Sequence, residues 1–355
     1  MWRQRPPPPS LPHQPATMTT EMQAIRFHQT GDVDVIQQDT VPVPTCGPKQ
    51  VVIRAELAGI NYIDIYFRSG VYPSELPRTL GQEVGGKVLE VGSEVQGLAE
   101  GDTVVALAPN AIAERVVVDQ THVAKVPERV ELRSATALLL QGLTAVTLTH
   151  VAYAVQPNDW VLVHAAAGGT GLLLVQIIKA LGAHVIGTTS TEKKAKMVEA
   201  HGADHVLLYG ETHATPAENA KKVLELTGGR GVQVVYDSVG QATWDANFDA
   251  VARLGTLVSF GQSSGTPEPL ALARLSPKNL KVLRPALFNY ITTGEEMAHF
   301  ASLLFDLLAQ GKVRPSIWRE YPFGAPGVQA AQRELSSRAT SGKLLIRIPL
   351  HANRA

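Results

Sequence analysis

The chain has 355 residues and one cysteine, Cys46. A single thiol excludes an intramolecular disulfide and any metal site built from a set of cysteines, and it fits a reducing compartment. Excess charge of either sign is also missing, because Lys+Arg and Asp+Glu stand at 32 each. No global field draws such a chain to nucleic acid or to an anionic membrane. No apolar run reads as reaching the roughly 18–20 residues that cross a bilayer, so no membrane contact is expected. The first twenty residues, MWRQRPPPPSLPHQPATMTT, hold no acid and four consecutive prolines. Prolines prevent an amphipathic helix, whereas a mitochondrial presequence is Arg-rich and helical. Residues 1–21 therefore read as a disordered tail and the location as cytoplasmic, with mitochondrial targeting by the tail the lesser alternative.

What is present is apolar and patterned: 45% of residues are hydrophobic. Between 22 and 130 the stretches VVIRA, GGKVLEVG, GDTVVAL and ERVVVD are separated by Gly and Pro. Val and Ile in short runs between turn residues predict an all-β, barrel-like domain. From about 134 the period changes. ATALLLQGLTAVTLTHVA reads as a long apolar helix, and strands then alternate with helices through WVLVH, LLLVQIIKALG, HVIGTT, KKAKMVEAHGA, DHVLLY, TPAENAKKVLELTGG, VQVVYD, WDANFDAVARLG and TLVSFG. This alternation predicts a parallel, doubly wound sheet. Thr215, Pro216 and Glu218 form a helix-start signature, and Gly182, Gly202 and Gly228 are stops. The expected organisation is an α/β chain with a catalytic β domain over 22–142, completed by 288–355, and a nucleotide-binding domain over 143–287.

The stretch HAAAGGTG hands a strand to a helix. Ala166, Gly168 and Gly171 take the three positions of G-x-G-x-x-G, and Gly169 lies between them. Small residues admit the backbone to a pyrophosphate at a helix N-terminus. One strand later, where an acid would bind ribose hydroxyls, the chain reads TTSTEKK. Thr189 and Ser190 can donate hydrogen bonds, and Lys194 supplies a countercharge for a 2′-phosphate. The expected cofactor is NADPH. A metal needs Cys, His or carboxylate in threes or fours. His28, His150 and His164 show no such set, and His164 reads as a packed strand-end residue. Asp64 stands four residues before Arg68, the spacing of an ion pair on one helix face.

GINYIDIYFRSGVYP, HAAAGGTG, VVYDSVG, SFGQSSG, RPALFNYITT and SRATSGKLLI occur in one order across residues 22–349. With these strings the chain resembles the zeta-crystallin-like NADPH quinone oxidoreductases, the zinc-free branch of the medium-chain dehydrogenase/reductases. The resemblance implies a GroES-like β-barrel catalytic domain beside a Rossmann domain, with Asn61 and Gln82 where zinc-dependent relatives carry Cys and His. It implies Asn61 and Tyr66 beside the nicotinamide and acceptor, with Arg284 at the pocket edge. It implies Lys194, Tyr209 and Arg338 at the 2′-phosphate end, and Ser238, Phe260 and Ser263 along the cofactor. It further implies a quinone or other electrophilic acceptor and a homodimer paired through an edge strand, taken as TLVSFG. Many relatives carry a G-A-Y-like turn where this chain reads APNAIAERVVVD, so a reshaped pocket rim at 108–113 is expected. Quinone reduction by hydride or by single electrons stays open, and enone or alkenal reduction is an alternative reaction. An RNA-binding or crystallin-like structural role is the alternative of another class, and the lack of a basic tract argues against RNA.

Overall fold

β-Branched residues at alternate positions build the first sheets. The computed structural model describes residues 20–210 and 213–350. β1 (Glu21–Phe27) pairs antiparallel with β2 (Ile36–Pro42). β3 (Gln50–Ile60) runs straight into helix α1 (Tyr62–Arg68). The short β4 (Arg78–Thr79) closes on β1. β5 (Glu83–Val91), β6 (Thr103–Leu107), β7 (Arg115–Asp119) and β8 (Val123–Lys125) gather around β3. The reading of 1–21 as a tail falls on residues outside those described, except Thr20 and Glu21, and Glu21 already belongs to β1.

Helix α2 (Leu132–Thr147) continues through a π turn to Ala152. The alternation follows: β9 (Trp160–Val163), α3 (Gly169–Ala180), β10 (His184–Thr189), α4 (Glu192–Ala200), β11 (His205–Leu208), α5 (Pro216–Leu226), β12 (Val232–Asp237), α6 (Trp244–Ala250), β13 (Val251–Ser259) and β14 (Lys281–Leu283). These six strands form one parallel sheet in the order β11-β10-β9-β12-β13-β14, the order of a doubly wound dinucleotide-binding sheet. The chain then makes α7 (Gly294–Ala309), β15 (Ile317–Pro322), α8 (Ala325–Ser336) and β16 (Lys343–Arg347). β16 inserts between β15 and β3, so the C-terminal strand returns to the β-rich sheet. One apolar core lies between the parallel sheet and α2, α3 and α7. A second fills the β-rich part under α8, and a third lies under α5 and α6.

Four expectations need correction. The run Leu132–Ala152, 21 residues, is long and apolar enough to cross a membrane, but 67% of its most apolar window is buried inside the protein. It is a core helix whose apolar character serves the packing of α2 against α3 and α7. WDANFDAVARLG is not one helix: α6 ends at Ala250 and Val251 opens β13, because pairing with β12 captures the chain there. TLVSFG is not an edge, since β13 carries β14 on its outer side. Residues 108–113 form no rim. None of them lines the cleft between the β-rich and parallel sheets: Ala108, Ala111, Ile112 and Ala113 are buried, Pro109 and Asn110 are exposed away from it, and the Ile112 N–H donates to Leu80 O at 2.8 Å.

Candidate active site

A cleft of about 1000 Å³ lies between the β-rich sheet with α1 and the carboxyl ends of the parallel strands. His164 after β9, Thr189 closing β10, Ser238 after β12 and Phe260 after β13 all face it. In open α/β sheets this end is where ligands bind.

The phosphate loop is shaped by steric need. Ala165 takes a left-handed φ of 49°, and the Gly168 N–H donates back to its carbonyl at 2.9 Å. Gly168 is then the N-cap of α3. A Cβ on Gly171 would lie 2.5 Å from Ala165 O, and one on Gly169 2.1 Å from Gln141 Oε1. Glycine is required at Gly171, where the neighbours are backbone atoms, whereas at Gly169 the neighbour is the end of the Gln141 side chain, which can swing aside. The unpaired N–H groups of the first helical turn suit an anion. Gly168, Gly169 and Gly171 line the cleft as expected. Ala166 does not. It is wholly buried and donates its N–H to Thr188 O at 2.9 Å, so it packs β9 against β10 behind the loop.

At the far end Thr189, Ser190, Lys194, Tyr209 and Arg338 share one rim. Arg338 follows α8 in the left-handed region, φ 59°, which turns the chain over the cleft. Its guanidinium donates to Ser263 O at 3.1 Å, and its carbonyl accepts from Lys194 Nζ at 2.5 Å. Burial lowers the Lys194 ammonium from its ordinary value. Burial raises the Tyr209 hydroxyl, with Arg338 opposing. Among the described residues no carboxylate lines the cleft, whereas Lys194, Arg284 and Arg338 all do. The field is that of a polyanion site.

The other end is aromatic. Tyr66 packs with its ring centroid 5.3 Å from Tyr62 and 5.0 Å from Tyr72. Its hydroxyl oxygen accepts the Gln262 N–H at 3.3 Å, so the phenolic proton stays free to donate into the cleft. Burial pushes this hydroxyl up to about 12, which keeps it protonated at neutral pH. Arg284 is held by Ser259 O and Gly261 O at 3.0 Å each and by Gln262 Oε1 at 3.2 Å. Residues 259–262 thus hold Arg284 and touch Tyr66. Gln262 and Gln141 are not among the residues expected from the sequence: Gln262 lies unremarked between Phe260 and Ser263 in SFGQSSG, and Gln141 in the long apolar helix.

Asn61 lines the cleft but is nearly buried. It is the N-cap of α1, and its N–H donates to Asp64 Oδ2 at 2.8 Å. Its carboxamide is held by Glu83 and Lys343 at the wall of the cleft. Asp64 does not pair with Arg68: Arg68 donates to Gln332 Oε1 at 2.6 Å and lies 3.7 Å from Asp32. His164 is hydrogen-bonded through both ring nitrogens, to Thr188 at 3.0 Å and Asn247 at 2.7 Å, although it also touches the cleft.

Comparison with known proteins places this geometry. A "Probable quinone oxidoreductase" of Schizosaccharomyces pombe is 40% identical over 324 residues, covering 91% of this chain and 96% of that protein. The chain belongs to the quinone oxidoreductase family. The Escherichia coli quinone oxidoreductase solved in complex with NADPH superposes with a TM-score of 0.87 at 37% identity, over 92% of this chain and 99% of that one. A "2-haloacrylate reductase" of Burkholderia is 33% identical over 90% of this chain and 97% of its own. Two family models match as well: "Alcohol dehydrogenase GroES-like domain" over residues 47–128 and "Zinc-binding dehydrogenase" over residues 169–303.

The residues of this quinone oxidoreductase homologue do not fit the metal named in the second description. Zinc takes thiolate, imidazole or carboxylate donors. Asn61 Oδ1 is already 2.7 Å from the Lys343 ammonium, and Gln82 Nε2 donates to Gly81 O at 3.0 Å. A cation beside Asn61 and Glu83 would meet that ammonium. Among the described residues no group of three or more His, Cys, Asp and Glu side chains could hold a metal.

Proposed function

We propose that the protein reduces quinones with NADPH by hydride transfer without a metal. The observation that carries the reading is the cleft: three cationic side chains, no lining carboxylate among the described residues, a glycine loop at a helix N-terminus, and a tyrosine-lined end. The names of the relatives and the NADPH complex of the E. coli protein support the same assignment. NADPH, when bound, supplies the hydride.

The chain does the rest. The N-terminal turn of α3 and the loop before it receive the pyrophosphate. Lys194, Tyr209, Arg338 and the hydroxyls of Thr189 and Ser190 receive the 2′-phosphate. Ser238, Phe260 and Ser263 flank the length of the cofactor. Tyr62, Tyr66 and Tyr72 offer flat walls to a planar acceptor. The free proton of Tyr66 hydrogen-bonds the acceptor oxygen as charge develops there, and Arg284 adds positive potential. Holding acceptor and donor in register can supply about 7–11 kcal/mol of the barrier. A quinone, already electrophilic, needs no Lewis acid.

Reduction of an activated alkene is the second reading. The Burkholderia relative's name and the protonated Tyr66 favour it. NADPH consumption followed with a panel of quinones, enones and 2-haloacrylates decides between them. Turnover only of the alkenes overturns the quinone reading. The same reading includes a homodimer joined through β14, which among the described residues has a strand partner on one side only. Sedimentation showing monomer alone at micromolar concentration would overturn that part. The single cysteine supports a cytoplasmic setting.

A further inference from the structure

Behind Asn61 lies an ion pair that the proposed reduction does not use. Lys343 and Glu83 are 1% and 0% exposed. Neither lines the cleft. Lys343 Nζ pairs with Glu83 Oε1 and donates to Asn61 Oδ1 at 2.7 Å. Asn61 Nδ2 donates to Glu83 Oε1 at 2.7 Å, which closes a three-membered ring of contacts. The second carboxylate oxygen of Glu83 accepts the Leu140 N–H of α2 at 2.8 Å.

The surroundings are shaped around this pair. A Cβ on Gly59 would lie 2.1 Å from Glu83 Oε1 and 2.7 Å from Lys343 Cε. β3 therefore gives up a side chain to make room for two charges. The residue before Lys343 is Gly342, whose N–H donates to Ala167 O at 3.2 Å in the phosphate loop. One short segment thus touches the phosphate loop through its backbone and the opposite end of the cleft through a lysine.

We propose that Lys343 is a positioning residue: its ammonium, held by Glu83, locks the Asn61 carboxamide in one orientation at the wall of the cleft. The inference rests on the cofactor and acceptor reading of that cleft. A carboxamide facing water or neutral partners can turn over, because its two ends have nearly the same shape. Turned over here, the Nδ2 donor would face an ammonium and the Oδ1 acceptor a carboxylate. Two attractive contacts would become two repulsive ones in a site shielded from water. Stability alone does not account for the pair, since apolar residues of similar volume often replace a buried ion pair without loss. A hydrophobic pair cannot present opposite charges to the two ends of an amide. Asn61 Nδ2 is directed at Glu83 Oε1 and Gly59 O, so the fixed group left for the cleft is a lone pair of Oδ1. That lone pair suits a donor such as the amide N–H of the nicotinamide carboxamide.

The single change Lys343→Met leaves Glu83 buried and unpaired and is expected to fold poorly. The informative variant is Glu83→Gln/Lys343→Met, which removes both charges together. It is compared with Asn61→Ala and with the triple variant, each checked for a cooperative thermal transition. The expected result is a fall of about tenfold in kcat with NADPH affinity nearly unchanged, and no further fall when the pair is removed in the Asn61→Ala background. Unchanged kcat in the paired variant, or a loss that adds fully to that of Asn61→Ala, overturns the proposal. If the paired variant does not fold, Lys343→Arg replaces it. A planar guanidinium keeps the charge but displaces the contact to Asn61, so a kcat effect that vanishes in the Asn61→Ala background supports the proposal and an effect that persists there overturns it. Nicotinamide fluorescence of bound NADPH separates this inference from the choice of acceptor. If the parent protein reduces no quinone, the substrate reading fails. A fluorescence change that depends on Asn61 still supports the lock, and an unchanged spectrum overturns it.

Discussion

Half-buried Tyr66 in the cleft and buried Asp64 behind it have chemistry that experiments can read. Tyr66 is a hydrogen-bond donor with a raised pKa, but a quinol oxyanion is intrinsically stable and the cleft admits water. Loss of a strong oriented donor costs about 2.7–4 kcal/mol in an oxyanion hole. Tyr66→Phe should lose less, roughly tenfold or under in kcat, or about 1.4 kcal/mol, with NADPH affinity unchanged. A fall of several orders of magnitude in a folded, NADPH-binding variant would make Tyr66 an obligatory proton donor and move the enzyme toward alkene reduction. Asp64 is fully buried, and one of its oxygens has no hydrogen-bond partner. Burial lifts its carboxyl from 3.8 to about 7, with the Asn61 N–H and Lys343 opposing and Glu83 adding. A carboxyl raised in the folded state holds its proton there more tightly than in the unfolded chain. Its stabilising contribution is therefore complete below 3.8 and lost as pH rises to about 7. The full loss is on the order of 4 kcal/mol at most. Asp64→Asn keeps an acceptor for the Asn61 N–H and carries no charge. Its melting temperature relative to the parent should rise as pH goes from 3.8 to about 7 and level off above that. A difference that stays flat with pH would show that Asp64 is ionised throughout.

Elements differ in how much of them the sequence displays, and the difference follows sequence distance. The start of α5 is written locally: the Thr215 hydroxyl accepts the Glu218 N–H, and Glu218 Oε2 accepts the Thr215 N–H at 2.7 Å. Gly182, Gly202 and Gly228 stop their helices at positive φ, as their positions suggested. The break between α6 and β13 was hidden because Val251 is drawn into a strand by β12, a partner far from it in sequence. β14 has three residues, too few for a period to show. The pairing of Lys343 with Glu83 spans 260 residues, and nothing near either residue announces it. The same reasoning explains why the glycines of the phosphate loop were legible and Ala166 was misread. Gly171 must be small because its own loop crowds it, whereas Ala166 is small because β10 packs behind it. Gly171→Ala tests the first statement. Its Cβ would meet backbone atoms, Ala165 O at 2.5 Å and Ala166 Cα at 2.8 Å, which cannot swing aside like a side chain. The loop must shift, and a shift near 1 Å is enough to cost about a hundredfold in a positioned reaction. NADPH affinity measured by fluorescence titration should fall by roughly tenfold or more, and an unchanged affinity in the folded variant would remove the loop from the cofactor site.

At the scale of the whole molecule the chain leaves the β-rich sheet after β8, builds the parallel sheet, and comes back 282 residues after Asn61 to place Lys343 beside it. The cleft is the seam that this return creates. Asn61, Tyr66 and Gly342 approach it from one side, and the phosphate loop, Lys194, Ser238 and Phe260 from the other. The Gln262 N–H reaching the Tyr66 hydroxyl is a direct hydrogen bond across it. A ligand in the seam contacts both halves, binds the folded protein and not the unfolded chain, and so must raise stability by mass action. At a hundred times its dissociation constant that gain is about 2.7 kcal/mol, a rise of roughly 3–5 °C in melting temperature for a chain of this length. NADPH should give this rise, and NADH at the same concentration a smaller one, if the rim of Lys194, Tyr209 and Arg338 receives the 2′-phosphate that NADH lacks. Lys194→Ala should shrink the NADPH shift toward the NADH value and leave the NADH shift alone. Equal shifts from the two cofactors in the parent protein would dismiss the 2′-phosphate assignment while keeping the cleft. No shift from either would show that the seam is not where a dinucleotide binds, and the roles given to α3, Lys194 and Arg338 would fall with it.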